Sequence, residues 1–457
     1  MADQASTLIV PVENQYRELD AKLLLSCVAA ERGFPVILGS RAFVHYQVAS
    51  IPRGVYLAKS MRQLSDRMFG ILRNLGHEIV AFDEEALVRA PDPQYWDRRL
   101  SVGTMQKVSA LLAWGVDDAR TLRGYPGYAG APIRITGNPR IDMMRSDVRD
   151  FYAGEVAAIR ERFAPFVLVN TNFGWNNHFI SNFAEINNAG KSLDGFMTKL
   201  MKHRSTIFES FKEMVPVLAK ALPEHTVVVR PHPIEKHDPW LEIARRYENV
   251  RVVNEGSVIP WLMACEVLVH NSCTTAVEGF VLETPAVAYQ PVRMDGFDDE
   301  LPNALSHRVY STDELEKLVR SILGGRPPVS DHAARRRRLE HHVAALEGPL
   351  AADRMVDVLE QAGYARRQPR RSRPHHHLVG WVHTKGRTAV KAVNMRRPGH
   401  RNSIEYHDHR FPRLSAEDLQ RRVDRLGRQL GRFQGVRVRS HSNHVFAIEQ
   451  QPGKDGN

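Results

Sequence analysis

The chain has 457 residues, 43% of them hydrophobic and 25% charged, which is enough for more than one globular core and ordinary for folded domains. The net charge of +11 is unevenly spread: from Ala365 onward there are 21 Lys+Arg against 7 Asp+Glu, which leaves the first 364 residues slightly acidic. Three scattered cysteines (Cys27, Cys265, Cys273) exclude a disulfide framework and have no metal-type spacing, and no apolar run is long enough to cross a bilayer. With no signal-peptide pattern at the start, a cytoplasmic protein is expected.

In chain order, Leu8–Val12 reads as a first strand ending in Glu13-Asn14. Arg17–Arg32 reads as a helix with Leu19, Leu23, Leu24 and Cys27 on one face, and Phe34–Gly39 as a second strand. This βαβ opening is of the doubly wound type, without the GxGxxG of a dinucleotide site. A helix over Ser60–Leu75 precedes a strand over His77–Phe82. Asp83-Glu84-Glu85 follows it, either a source of a general base or an acidic helix start. Strands are expected at Ala110–Trp114 and Ile133–Thr136. The second runs into Gly137-Asn138-Pro139-Arg140, a turn or a loop at the domain seam with Arg140 available to an anion.

A connecting helix over Val148–Phe163 leads to the strand Phe166–Val169 and to Asn170-Thr171-Asn172, small polar groups able to present amides to phosphate. A polar segment follows to about Lys191, then a long helix over Phe196–Leu222. The central stretch alternates short β-branched runs (Val227–Val229, Val250–Val253, Val267–His270, Ala286–Tyr289) with helical ones, as buried parallel sheets do. Polar punctuation follows two of these strands: Arg230-Pro231-His232-Pro233 and Asn271-Ser272-Cys273-Thr274-Thr275. Such loops, at carboxyl ends of strands, are expected to face one cleft. A helix over Ser311–Leu323, capped with Glu314 as partner, and helical segments over His332–Ala362 complete the body. Asp295 to Glu300 reads as an acidic loop, and the run Arg335–Arg338 as a solvated face rather than a nucleic-acid site.

Four segments are expected: an acceptor domain over 1–164, a nucleotide-donor domain over 165–330, helices over 331–364, and a basic extension over 365–457. The extension opens on RRQPRRSRPHHH, read as a flexible linker in which His375–His377 bind metal at most adventitiously. A small helix beginning near Leu414 carries Leu419, Val423, Leu426 and Leu430. Without interleaved aromatics or zinc spacing the extension is not a specific nucleic-acid reader, whereas its charge suits an anionic membrane surface.

His232 between two prolines, beside Arg230, suits hydrogen bonding or proton donation to a leaving phosphate. Ser272, Thr274 and Thr275 precede a helix over Ala276–Leu282, where they either cap it or join its amides in holding an anion. Glu278, a turn further on, reads as a ribose contact or a surface carboxylate.

The stretches PVENQYRELDAKLLL, AAERGFPVILGS, PRGVYLAKS, DEEALV, ITGNPRID, VLVNTNFGWNN, RPHP, NSCTTAVEG and HRFPRLSAEDL resemble the surface carbohydrate biosynthesis proteins over nearly the whole chain. The resemblance implies a GT-B fold, two Rossmann-like domains facing a cleft. The implied activity is transfer of a sugar from a nucleotide-activated donor to a glycan or lipid-linked acceptor, with neither metal nor cofactor expected. His232-Pro233, and Ser272 with Thr274, look similar to the motifs that meet the CMP phosphate in bacterial sialyltransferases and Kdo transferases, which favours a CMP-sugar. The acidic-acidic-Gly motif of many such sialyltransferases lacks its glycine here, because Ala86 follows Glu85. The acceptor base therefore stays open among Asp83, Glu84, Glu85 and Glu13. The centre also resembles UDP-GlcNAc 2-epimerases and glycerophosphate-polymer transferases, so epimerisation is an alternative, as is a non-catalytic scaffold of an envelope complex.

Overall fold

A computed structural model describes residues 5–174, 176–178, 195–294, 296–397 and 403–451. The chain forms two compact units, the first from Met1–Leu87, Pro91–Phe151 and Glu340–Asn457, the second from Val88–Ala90 and Tyr152–Leu339.

The first unit is built on β1 (Thr7–Val12), β2 (Val36–Ser40), β3 (Gly54–Ala58), β4 (Glu78–Ala81), β5 (Ala110–Ala113) and β6 (Ile133–Ile135), parallel in the order β2-β1-β3-β4-β5-β6. β1 to β3 are buried along their whole length, as expected of a parallel sheet covered on both faces. The helix Gln15–Glu31 is started by Asn14, whose side chain accepts from the Arg17 amide at 3.3 Å. It buries more than the single stripe read from the sequence, because it touches β1 and β2 on one side and the helices Ala351–Gln361 and Ala416–Leu430 on others.

The second unit holds an all-parallel sheet of β7 (Phe166–Asn170), β8 (Thr226–Arg230), β9 (Val250–Val252), β10 (Val267–His270), β11 (Ala286–Tyr289) and β12 (His307–Val309), in the order β12-β11-β10-β7-β8-β9. Under it lies a core in which Phe173, Phe208 and Phe211 from the strand-end loop and the long helix Gly195–Ala221 pack with Trp240. The polar segment expected up to Lys191 lies, from residue 179 on, outside the described residues.

The extension differs most from expectation. Within the segment read as a linker, residues 366–373 carry no helix or strand, but Pro374, at a first helical position that suits proline, opens a helix to Met395. This helix buries Gly380 and Thr384 against Asp66–Leu75. The chain ends in a hairpin of β13 (Val436–Ser442) and β14 (Val445–Gln450), and β14 pairs antiparallel with β2, widening the first sheet to eight strands. At Gly39 a Cβ would overlap the His444 carbonyl oxygen, so the missing side chain admits the hairpin. Arg432 ties the extension down, donating to Glu31 (Nε to Oε2, 3.0 Å) and to Asp353 (Nη1 to Oδ2, 3.1 Å). The expected boundaries shift accordingly: the connecting helix, Ala153–Phe163, groups with the second unit, and the chain rejoins the first from Glu340 onward.

Candidate functional site

In the second unit, β7 lies between β8 and β10 with Asn170 in register with both Arg230 and His270. Parallel strands in this register deliver the segments after 170, 230 and 270 side by side at one carboxyl edge, where open α/β sheets take ligands. The Asn170-Thr171-Asn172, Arg230–Pro233 and Asn271–Thr275 segments thus meet on one edge of one sheet.

The His232 loop is held by a residue that sequence reasoning passed over. Glu235 Oε1 accepts from Thr171 Oγ1 at 2.8 Å, the Phe173 amide at 2.8 Å and the His232 amide at 3.2 Å. Burial pushes this carboxyl up to about 7, although those three donors pull the other way. The Glu235–His178 bridge and paired bonds between Asn177 and Lys236, both 2.8 Å, join the two loops further. At Gly174 a Cβ would strike the Ile234 side chain, so glycine permits the close approach. His232 is half-buried and its Nδ1 accepts from the Ile234 amide at 3.3 Å, which makes Nε2 the donor nitrogen of the neutral ring.

Across β7, Ser272 adopts a left-handed backbone (φ 41°), unusual for a residue with a side chain. Its Oγ accepts from Asn303 Nδ2 at 2.9 Å. The helix Thr274–Val281 starts with Cys273 at the capping position and no side-chain cap, so of the two readings of Ser272 and Thr274 the capping one does not occur. Thr275 Oγ1 is buried without a hydrogen-bond partner. So are both side-chain polar atoms of Asn170, itself 3% exposed. Buried polar atoms normally find partners, so such orphans at a strand edge point to a ligand or bridging water. Asn172 is half-buried, and Asn271 Nδ2 donates to the Tyr289 carbonyl at 3.1 Å.

Two expectations need correcting. Arg230 turns inward: Nη1 donates to the Glu255 carbonyl at 2.9 Å and Nη2 to Gly256 at 2.7 Å, with Trp261 under the guanidinium. A buried guanidinium needs acceptors, and the chain itself supplies them, so Arg230 braces the loop after β9. Glu278 is 1% exposed, which removes the surface-carboxylate reading.

In the first unit the candidate bases divide. Asp83 is 1% exposed; Arg99 grips both carboxylate oxygens and Tyr95 adds its hydroxyl at 2.8 Å. Burial pushes Asp83 up to about 7, but with both oxygens engaged it is an internal anchor rather than an accessible base. Burial also works to raise Glu13, yet Lys59, Arg41 and Arg410 outweigh it and hold its carboxyl well below the ordinary range, which makes it a poor proton acceptor. Glu84 is nearly buried, 3.5 Å from Asn138 Nδ2, while Glu85 is exposed, with Arg17 and Arg99 within 3.9 Å. Asn138 caps the turn Pro139–Asp142 by accepting from the Arg140 amide at 2.9 Å, and Arg140 is 8% exposed, leaving little of it for an external anion. Asp142, unremarked in the sequence, caps the helix Ala351–Gln361 through the amides of Ala351 (2.8 Å) and Ala352 (2.9 Å).

The signals that could have found Glu235 and Asn303 are faint. A carboxylate three residues after a His-Pro pair, and an amide in a short helix beyond an acidic loop, are common without any role.

No protein-family model and no curated protein sequence matches the chain. Among solved structures, the wall teichoic acid polymerase TagF matches with a TM-score of 0.51 and 12% identity, over 78% of this chain and 89% of that one. A Listeria monocytogenes protein assigned as a UDP-N-acetylglucosamine 2-epimerase matches with a TM-score of 0.50 and 13% identity, over 80% of this chain and 99% of that one. At this identity the likeness is one of fold: α/β, of GT-B type, with two Rossmann-like units.

Proposed function

We propose that the protein is a sugar-nucleotide enzyme of surface polysaccharide biosynthesis. In this reading it transfers a sugar from a nucleotide-activated donor to a glycan or lipid-linked acceptor. The observation that carries it is Asn170, an amide with neither polar atom bonded in a buried position, between the His232 loop and the Ser272–Thr275 turn. A donor phosphate there meets the Thr274 and Thr275 hydroxyls, the uncapped start of the helix Thr274–Val281 and the His232 imidazole. A TagF structure solved with CDPG (TM-score 0.50, 10% identity, 78% of this chain and 88% of that one) is in keeping with a nucleotide-linked donor.

In the reaction, an acceptor hydroxyl oxygen attacks the donor sugar's anomeric carbon. The bond from that carbon to the phosphate oxygen breaks, and its electron pair goes to the phosphate. His232, donating from Nε2, stabilises the charge that develops there. The hydroxyl proton passes to a general base; of the carboxylates expected for that role, Asp83 is enclosed and Glu13 is held ionised by three cations, which leaves Glu84 and Glu85 as the candidates.

The test is a thermal-shift panel of CMP, CDP, UDP and GDP, since a ligand bound only by the folded state raises its stability. A CMP-linked donor is the first to assay. One nucleotide should raise the melting temperature, and Asn170→Ala with Thr275→Ala should abolish the rise. No response to any nucleotide overturns the reading, and product formed without an acceptor replaces transfer by epimerisation.

We also propose that the extension holds the enzyme against an anionic membrane. Among the described residues no helix is long and apolar enough to cross one. The helix Pro374–Met395 nonetheless exposes Leu378, Trp381, Val382, Val390 and Val393, with Lys385, Arg396 and Arg397 exposed nearby. An apolar stripe flanked by cations is what an interfacial helix presents to acidic headgroups.

A further inference from the structure

A cavity in the first unit is left unexplained by donor binding. It has a volume of about 110 Å³ and lies at the carboxyl ends of β1 and β2, lined among others by Glu13, Ser40 and Arg41 from those strand ends and by Arg387, Lys391 and Arg410 from the C-terminal extension. That is several times the roughly 30 Å³ of a water molecule in the liquid.

Its charges do not balance. Four cationic side chains line it against one carboxylate, Glu13. That carboxylate is shared by Arg41 at 3.2 Å, Lys59 at 2.9 Å and Arg410 at 2.7 Å. Behind it Lys59 and Lys22 share Glu18, at 2.5 and 2.7 Å. Arg387 donates to Met68 Sδ at 3.2 Å, a contact without charge, so the imbalance stands on Arg387 and on the three cations that share Glu13. His45 adds no positive charge: burial, followed by Arg387, Arg41 and Lys391, holds its imidazole well below the ordinary value, and its Nε2 bonds the Tyr56 hydroxyl at 2.7 Å. His407, also on the wall, is engaged through Nε2 with Ser40 Oγ at 2.9 Å.

Crowding cations into a half-buried hollow is unfavourable unless an anion shares it. Guanidinium forks match the oxygens of a tetrahedral anion. The site is also placed where such sheets take ligands, beside β1, from which the strand order runs both ways.

We propose that this cavity binds a phosphate group, with the C-terminal extension supplying three of its four lining cations. The phosphate binding stands without the transfer reading. Only its assignment to a phosphate ester of the acceptor, as against free phosphate, rests on that reading.

The experiment is calorimetric titration of the full chain with inorganic phosphate and with glucose 1-phosphate. Wild type, Arg387→Ala, Lys391→Ala and His232→Ala are compared, with folding checked by circular dichroism. Binding should weaken at least tenfold in the first two variants and persist in His232→Ala. Should Arg387→Ala fail to fold, Arg387→Lys, which keeps the charge, should still bind, and Lys391→Ala decides. Glucose 1-phosphate bound tenfold more tightly than phosphate identifies an ester; equal affinity identifies free phosphate. No binding by wild type, or binding lost in His232→Ala and kept in Arg387→Ala and Lys391→Ala, overturns the proposal. If phosphate binds as expected while no nucleotide shifts the melting temperature, the transfer reading fails and this one stands.

Discussion

The Glu235 carboxylate accepts the His232 main-chain amide at 3.2 Å and, through the same oxygen, the Thr171 hydroxyl from the segment that follows the neighbouring strand β7. One buried side chain therefore sets the position of two of the loops to which we assign the donor phosphate. Glu235→Ala should cost about 3 kcal/mol or more, because it strands buried donors, each worth roughly 1–3 kcal/mol when left unpaired. Chemical denaturation measures the loss; an unchanged midpoint would show that the prolines alone hold the loop.

The same carboxyl carries a pH signature. It sits near 7 when folded against an ordinary value of 4.5, so between those values the folded protein keeps a proton that the unfolded chain has released. Its contribution is complete below 4.5 and is lost as pH rises through 7, amounting to about 3 kcal/mol. Melting temperatures of Glu235→Gln should therefore fall less than those of wild type between pH 5 and pH 8. Parallel curves would remove Glu235 as the source.

His232→Ala should leave the melting temperature within a degree or two, because the ring is half-buried, while transfer drops by about 10²- to 10⁴-fold. Steady-state turnover together with a melting curve decides it; unchanged turnover removes the imidazole from the chemistry.

Asp83 and Glu85, two residues apart, should respond in opposite ways. Asp83→Asn breaks the buried pair with Arg99 and should destabilise the first unit by about 3–5 kcal/mol. Glu85→Gln, at an exposed position, should keep the stability, and if Glu85 is the base it should lower kcat. A stable Asp83→Asn with lost turnover would return the base to Asp83.

For the membrane proposal, Val382→Asp with Val393→Asp places charge on the exposed stripe of the helix Pro374–Met395 without touching its buried Gly380 and Thr384. Sedimentation with phosphatidylserine vesicles should fall several-fold, and wild-type binding should weaken with salt. Equal sedimentation of variant and wild type would rule out the stripe.

How much of this was legible in the sequence depended on whether pattern or direction carried the information. β-branched runs such as Val227–Val229 and Val267–His270 announced strands, and the polar residues behind them mark an edge that the sheet order brings together. Short strands without such runs, Gly54–Ala58 and His307–Val309, left no comparable mark. Which way a side chain turns was not written at all: Arg230 looks like a phosphate ligand beside His232, and it points into carbonyls. The composition of RRQPRRSRPHHH suggested a linker, but the helix it leads into is fixed by contacts with Asp66–Leu75, which no local window contains. The final hairpin was hidden for a similar reason, since its place was decided by a glycine about four hundred residues earlier.

That hairpin has a bearing on how the protein is made. The second unit comes almost wholly from one continuous stretch and can fold as soon as Leu339 clears the ribosome. The first unit must wait with β2 as an open sheet edge until Val445–Gln450 emerges to cover it. Newly synthesised chains are thus most vulnerable to sticking to one another until Gln450 has emerged, and stop codons placed in the extension ahead of Val445 should send the product to inclusion bodies or proteases.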